Sequence, residues 1–304
     1  MIALHHSMLG TGKLKPPAYW GLYFEAEENN CSVSMTGSRV NLLYSLDGLN
    51  WATFDGSSGA QVINLAKVGD RVYFRDSDIS SGYYWSGDQR FILTGHVGAH
   101  GNLLSLVSGA TSSSINPLGY YLFSDCATLT SAPDIPVSDI GNEYLMETMQ
   151  GIFRNCTALR RAATMPQKIT THSRGVMANM YAGCTALEEA PTSIDISGSS
   201  RDALKGVYSQ CTALRRAPIL LAQSFVRGAY DNMFYGCTNL QFVETHQTAW
   251  TGVVSGYQRE MNDSWLYGVA ATGVFRCPRA LGTDATIERG PSRCPEGWTV
   301  VNID

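Results

Sequence analysis

One short pattern returns five times in this chain and restricts its fold more than any other feature. It centres on Cys126, Cys156, Cys184, Cys211 and Cys237, which follow one another after 30, 28, 27 and 26 residues. Three residues before each cysteine stands an aromatic (Phe123, Phe153, Tyr181, Tyr208, Phe234), and one earlier an aliphatic or methionine (Leu122, Ile152, Met180, Val207, Met233). Three residues after it comes leucine every time: Leu129, Leu159, Leu187, Leu214 and Leu240. Six after comes a small apolar residue (Ala132, Ala162, Ala190, Ala217, Val243), followed by Pro133, Pro191 and Pro218, with Ala163 and Glu244 in the other two copies. A period in the twenties marks units that cannot bury an apolar face alone and must stack on their neighbours.

A catalytic cysteine occurs once, whereas a structural one can recur with every unit. The thiol is small, apolar and a weak hydrogen-bond donor, so stacked copies are expected to fill a narrow axial column and to bond the backbone of an adjacent turn. Ligand pairs of the CxxC kind are absent, and cysteines in a row do not converge on one ion, so no metal or cofactor is expected.

Upstream of each aromatic the apolar residues take helical spacing. Met146, Met149 and Phe153 lie three and four apart, and so do Val176, Met180 and Tyr181, then Leu204, Val207 and Tyr208, then Phe225, Ala229, Tyr230 and Met233. This predicts a short helix before each cysteine and a short strand after it, stopped by proline, which cannot donate to a ladder. Residues 18–97 instead hold seven short runs rich in β-branched and aromatic residues, with Asp47-Gly48 at a hairpin tip. They read as a β-sandwich, with a single sheet capping the array as the alternative.

The expected class is therefore α+β: an N-terminal arm (1–17), a sandwich-like all-β domain (18–97), a solenoid of about five helix-plus-strand units (98–245) and a C-terminal cap (246–304). In the cap the period is lost, and Trp250, Trp265, Tyr267 and Trp298 are expected to cover the open end of the stack. Cys277 and Cys294 are candidates for a bridge. The arm, with Lys13, Lys15, Pro16 and Pro17, either reaches another subunit or is an ordinary frayed terminus.

Composition removes several function classes. A chain of 304 residues with 44% apolar content can bury a substantial core, while 30 glycines and a charged fraction of 16% favour turns and strands. A net charge of −4 offers no basic footprint for nucleic acid. No apolar run reaches the roughly 18 residues that would insert into a membrane. The start, "MIALHHSMLGTGKLKPP", lacks an early basic region and reads as no signal peptide, and "GTGK" lacks the spacing of a phosphate loop. Asp134, Asp139, Glu143, Glu147, Asp195 and Asp202 form no recurrent carboxylate pair, and His96, His100, His172 and His246 accompany no nucleophile motif, so no enzyme activity is expected.

Two stretches are candidates for binding. The two positions after the repeat leucine read Thr130-Ser131, Arg160-Arg161, Glu188-Glu189, Arg215-Arg216 and Gln241-Phe242. With neighbouring strands about 4.8 Å apart, basic and acidic pairs alternate across adjacent units. This ladder serves either register and solubility or a polar ligand. The loop "SSGYYWSG" carries Tyr83, Tyr84 and Trp85, whose flat faces suit a sugar or a protein partner if they do not fold over the domain's edge.

The pattern aromatic-x-x-Cys-x-x-Leu-x-x-apolar resembles the BspA-type leucine-rich repeat, and "MFYGCTNL" (Met233 to Leu240) resembles repeats of surface and phage-encoded proteins of gut Bacteroides-type bacteria. The flanks "YWGLYFEAEENNCSVSMTG", "LLYSLDGLNWATF", "DSWLYGVAATGVF" and "EGWTVVNID" resemble modules of the same group. The resemblance implies a noncatalytic adhesion or receptor-binding protein. The expected setting is a phage or prophage particle, as a tail or fibre component that binds a bacterial surface glycan or protein. Other particle subunits, reached through the arm, and further copies of the chain are the expected partners. The alternatives are a bacterial cell-surface adhesin and a purely structural virion decoration, so the localisation is the virion or the cell surface.

Overall fold

The structure is a computed structural model that describes residues 21–37, 42–56, 61–76, 89–106, 120–135, 149–164, 174–197, 201–223, 227–254, 257–260 and 262–303. The arm and the Tyr83–Trp85 loop lie outside these.

The N-terminal part holds eight strands: β1 (Tyr23–Ala26), β2 (Cys31–Thr36), β3 (Leu42–Ser45), β4 (Ala52–Phe54), β5 (Ile63–Leu65), β6 (Arg71–Asp76), β7 (Arg90–Thr94) and β8 (Val97–His100). β2 lies between β5 and β7 in a three-stranded sheet. The other strands form a six-stranded sheet in the order β4-β3-β6-β1-β8-β9, where β9 (Leu129–Ser131) follows the first repeat cysteine. Period-2 alternation turns Phe24, Val72 and Phe74 of the larger sheet inward, where Phe24 and Phe74 meet Phe91 of the smaller sheet with ring centroids at 4.8 and 5.4 Å. The parallel pairing of β8 with β9 carries the sheet across the expected boundary at residue 97.

The expected α+β class is overturned. The protein is essentially all-β, 1% helical and 30% strand in several small sheets, and a solenoid of helix-plus-strand units is not found. The one helix among the described residues is a 3₁₀ turn, Leu103–Leu106. The segments expected to be helical are built of consecutive turns. In the unit of Cys184, the N–H groups of Ala178, Met180, Ala182 and Cys184 donate three residues back within the unit. Those of Gly175, Met177, Asn179, Tyr181 and Gly183 donate to Arg201, Ala203, Lys205, Val207 and Ser209 of the next unit.

The physical cause is a left-handed residue at every fourth position. Gly175, Asn179 and Gly183 have φ of 65°, 56° and 79°, and Asp202, Gly206 and Gln210 have 61°, 62° and 63°. An α-helix needs uniformly negative φ to close its bonds four residues back, and it would leave no N–H for a neighbour. Here half of the donors go to the next unit, which ties the units together through the backbone.

The strands expected between cysteine and proline are reduced in the middle units to the single bridges Arg161↔Glu189 and Arg216↔Phe242, and the paired strands there come after Pro191 and Pro218 rather than before them. β10 (Ser193–Ile194) pairs with β11 (Ile219–Leu220), and β12 (Phe242–Glu244), β15 (Val274–Cys277) and β16 (Thr299–Asn302) form a parallel sheet in that order. Between them a hairpin of β13 (Thr251–Val254) and β14 (Tyr257–Glu260) stands apart. The pairing Phe242↔Val274↔Thr299 shows that the stacking continues beyond Cys237, with Val269 and Cys294 in the slots that cysteine fills earlier. Trp265 then takes the slot of Ile152, Met180, Val207 and Met233, its carbonyl accepting from Phe234 N at 2.9 Å, and Leu266 takes the aromatic slot.

One apolar core runs from Leu22 to Val300. Its axis is a column of rings, Phe91, Phe123, Phe153, Tyr181, Tyr208 and Phe234, whose centroids are 5.3 to 5.7 Å apart and whose planes come within 20° of parallel.

Candidate recognition face

The side chains with chemical potential divide between interior and surface. All eight cysteines are free and buried, including Cys277 and Cys294. Each repeat thiol donates to the carbonyl of the aromatic slot one unit earlier: Cys126 to Phe91, Cys156 to Phe123, Cys184 to Phe153, Cys211 to Tyr181 and Cys237 to Tyr208, at 3.0 to 3.2 Å. Burial pushes the Cys126, Cys184 and Cys237 thiols up to about 12 and those of Cys156 and Cys211 well above their ordinary value, so they stay protonated and unreactive. Leu129, Leu159, Leu187, Leu214 and Leu240 are fully buried beside them.

The residues five after each cysteine form a row on the outer face. Leu129, Leu159, Leu187, Leu214 and Leu240, two positions earlier, are fully buried, whereas Arg161, Glu189 and Arg216 are exposed and Ser131 and Phe242 half-buried, so the chain between departs from the period-2 alternation of a regular strand; at β9 the departure is a shift of register between Val97 and Gly98. Backbone bridges join Arg161 to Glu189 and Arg216 to Phe242. Arg161 Nε lies 2.8 Å from Glu189 Oε2, and Arg216 lies over the Phe242 ring at 3.7 Å from its centroid. Arg160, Glu188 and Arg215 are exposed, and their backbones complete the ladder: Glu188 N donates to Arg160 O at 2.9 Å and Gln241 N to Arg215 O at 3.0 Å. The structure thus leaves all six charged candidates exposed, with Arg161, Glu189 and Arg216 in one row, while Tyr83, Tyr84 and Trp85 lie outside the described residues. A groove of about 290 Å³, lined by Arg161–Thr164 and Glu189–Ser193, opens beside the Arg161–Glu189 pair.

The same face continues onto the six-stranded sheet, where it holds residues that the sequence reading left out. Tyr23 stands directly between Tyr73 and His100, with ring centroids at 5.4 and 5.1 Å. In the adjacent row Arg71, Glu25, Gly98 and Ser131 are successive cross-strand partners. Arg71 pairs with Glu25 at 2.6 Å and lies over Tyr23 at 5.2 Å. Glu27 accepts from Thr130 Oγ1 at 2.7 Å. Burial holds the His100 imidazole below its ordinary value, with Glu25 and Glu27 acting against it, so it is neutral near pH 7. The signal in the sequence is the alternation Tyr23, Glu25, Glu27, which places all three on one side of β1 and its extension.

Among the described residues no group of histidine, cysteine and carboxylates is placed to hold a metal ion, and no helix is long and apolar enough to cross a membrane. Comparison with family models, with curated proteins and with solved structures finds no match for this chain.

Proposed function

We propose that this protein is a noncatalytic recognition protein, a tail or fibre component of a phage or prophage particle that binds a bacterial surface glycan or protein. The observation that carries the reading is the outward row Ser131, Arg161, Glu189, Arg216 and Phe242, held in fixed register by backbone bonds between units and flanked by a polar groove. Such a surface is preorganised, so little side-chain and loop entropy is lost when a ligand docks. The thiols, which would be the strongest nucleophiles, are sealed in the core. The likeness of the cysteine units to BspA-type repeats supports an adhesive role, and display of many copies on a particle would make weak single contacts sufficient.

The test is binding of labelled protein to a panel of gut bacterial cells and their purified surface polysaccharides. An Arg160→Glu, Arg161→Glu variant and a Tyr84→Ala, Trp85→Ala variant are run beside it, with thermal unfolding as the control for folding. Attachment to some strains that one variant loses locates the face. Absence of attachment from a well-folded preparation sinks the recognition reading and favours a structural decoration.

A further inference from the structure

The ladder of charges does not close on itself, and what it leaves over has one sign. Arg160, Arg161, Glu188, Glu189, Arg215 and Arg216 set four positive charges against two negative ones, in a chain whose net charge is −4. Arg161 and Glu189 satisfy each other through a two-pronged contact, Nε to Oε2 at 2.8 Å and Nη2 to Oε1 at 3.2 Å. Arg160, Glu188, Arg215 and Arg216 are exposed and form no ion pair with any described residue. On the far side of Arg216 the row continues with Phe242 and Val274, and Glu244 is buried and held by Arg276 at 2.8 Å.

Arg216 is the arginine best prepared for a ligand. Its guanidinium lies 3.7 Å from the centroid of the half-buried Phe242 ring, and Ala217 N donates to Phe242 O at 2.9 Å, which fixes the register of the two residues. The donors of a guanidinium lie in its plane, so a ring against its face holds the group without using any of its five N–H groups. The free edge can take an oxyanion through two parallel hydrogen bonds. Gln241, exposed and bonded through its N–H to Arg215 O at 3.0 Å, adds an uncharged amide beside it.

Spacing narrows the ligand further. Successive units here are 5.5 to 5.7 Å apart along the ring column. Unpaired positive charge stands at Arg160 and returns two units later at Arg215 and Arg216, while the unit between presents Glu188. A polymer with a negative charge at every step would set one of them against Glu188. One whose charges are separated by neutral stretches meets both arginine positions and crosses Glu188 without repulsion.

We propose that this row binds an acidic polysaccharide whose anionic groups (carboxylate, phosphate or sulfate) are separated by neutral sugars, with one oxyanion held by Arg216 on Phe242 and another by Arg160. This rests on the recognition reading and names its ligand class and contact residues. Two contacts along one ligand chain reinforce each other, so affinity rises with oligomer length and, for exposed charges, falls with salt.

The experiment is binding of the full chain to immobilised polysaccharides, beside attachment to whole bacterial cells. The panel holds polymers in which a carboxylated, phosphorylated or sulfated sugar alternates with a neutral one, a polyuronate charged at every sugar, a neutral polymer, and poly-glutamate. The variants are Arg216→Gln, Phe242→Ala and Glu188→Gln, with Arg227→Gln, an exposed arginine outside the row, as the charge control and near-ultraviolet circular dichroism to confirm folding. The parent and Arg227→Gln are expected to retain at least one spaced acidic polymer, Arg216→Gln and Phe242→Ala to retain it about tenfold more weakly, and Glu188→Gln to gain affinity for the polyuronate. If Arg216→Gln and Phe242→Ala retain the acidic polymers as tightly as the parent, the site is wrong and the recognition reading stands. Tighter retention of the polyuronate or of poly-glutamate than of every spaced polymer overturns the proposed ligand class. If the parent attaches to cells and retains only the neutral polymer or nothing on the panel, the acidic ligand is overturned alone. If it binds neither cells nor panel, both fail.

Discussion

Tyr181 and Tyr208 fill the same slot in consecutive units, yet their hydroxyls fare differently. Tyr181 Oη accepts from the N–H of Ala163 at 3.0 Å, a residue seven after Cys156. Seven after Cys184 stands Pro191, which has no N–H, and the buried Tyr208 hydroxyl has no hydrogen-bond partner among the described residues. Where the slot holds phenylalanine, at Phe153 and Phe234, the unit before carries Pro133 and Pro218, so the departure at Ala163 is matched to its neighbour. Tyr208→Phe is therefore expected to raise stability by about 1 kcal/mol and Tyr181→Phe to lower it by about as much. Guanidinium unfolding of the two variants checks the opposite signs. Gly183, at φ 79°, sits beneath Asn155 Oδ1, which a Cβ there would strike. Gly183→Ala should cost about 1 to 3 kcal/mol from the left-handed backbone and the collision together, and the double variant with Asn155→Ala should recover the collision's share in a double-mutant cycle.

Among the elements, the turn-built segment explains both the thiols and the way the stack ends. Each Sγ is held against the carbonyl of the unit before it, under a roof of leucine and aromatic side chains, so native protein at pH 8 should expose no reactive thiol to a disulfide reagent. All eight should react in guanidinium, and a burst of fast-reacting thiols in native buffer would contradict the buried column. At the other end the open edge of β16 is covered by its own loop. Val300 N donates to Asp284 Oδ1 at 3.0 Å, and Arg289 ties that carboxylate to the carbonyls of Pro295 and Trp298 at 3.0 and 2.9 Å. Arg289→Ala leaves the carbonyls of Pro295 and Trp298 without the guanidinium donor and Asp284 without its ion pair, and is expected to cost about 2 to 4 kcal/mol. Arg161→Ala is expected to cost less than about 1 kcal/mol, because Arg161 and Glu189 are 73% and 59% exposed. Thermal unfolding of both variants distinguishes a closing hub from a surface pair.

At the scale of the molecule, the unbroken core predicts one cooperative unfolding transition rather than separate melting of the sheets and the stack. Its pH dependence has a defined sign through His100, which faces Glu25, Glu27, Arg71 and Asp134. Burial depresses its folded pKa below 6.5, so the unfolded chain binds more protons than the folded one as pH falls through that value. This contribution is complete above about pH 6.5 and is lost on acidification; the melting midpoint should fall between pH 7.5 and 5.5, by less in His100→Gln. The sequence by itself determined the repeat, its slots and the column of cysteine, leucine and aromatic residues, because an apolar pattern recurring at a fixed interval admits little besides stacking. It did not separate helix from turn. The buried positions Ala203, Leu204, Val207, Tyr208 and Cys211 recur at intervals of four, and over so short a run a period of 4 is hardly distinguishable from 3.6. What tells them apart is the glycine, asparagine or aspartate at every fourth residue, as in Gly228, Asn232 and Gly236, whose positive φ sends alternate N–H groups to the next unit. The continuation past Cys237 was hidden because Val269 replaces the cysteine, Leu266 the aromatic and Trp265 the aliphatic residue before it, so the backbone bonds persist without the residue types. The strip around His100 belongs to the tertiary structure alone: its residues come from β1, β6, β8 and β9, and only antiparallel and parallel pairing across about a hundred residues sets them side by side.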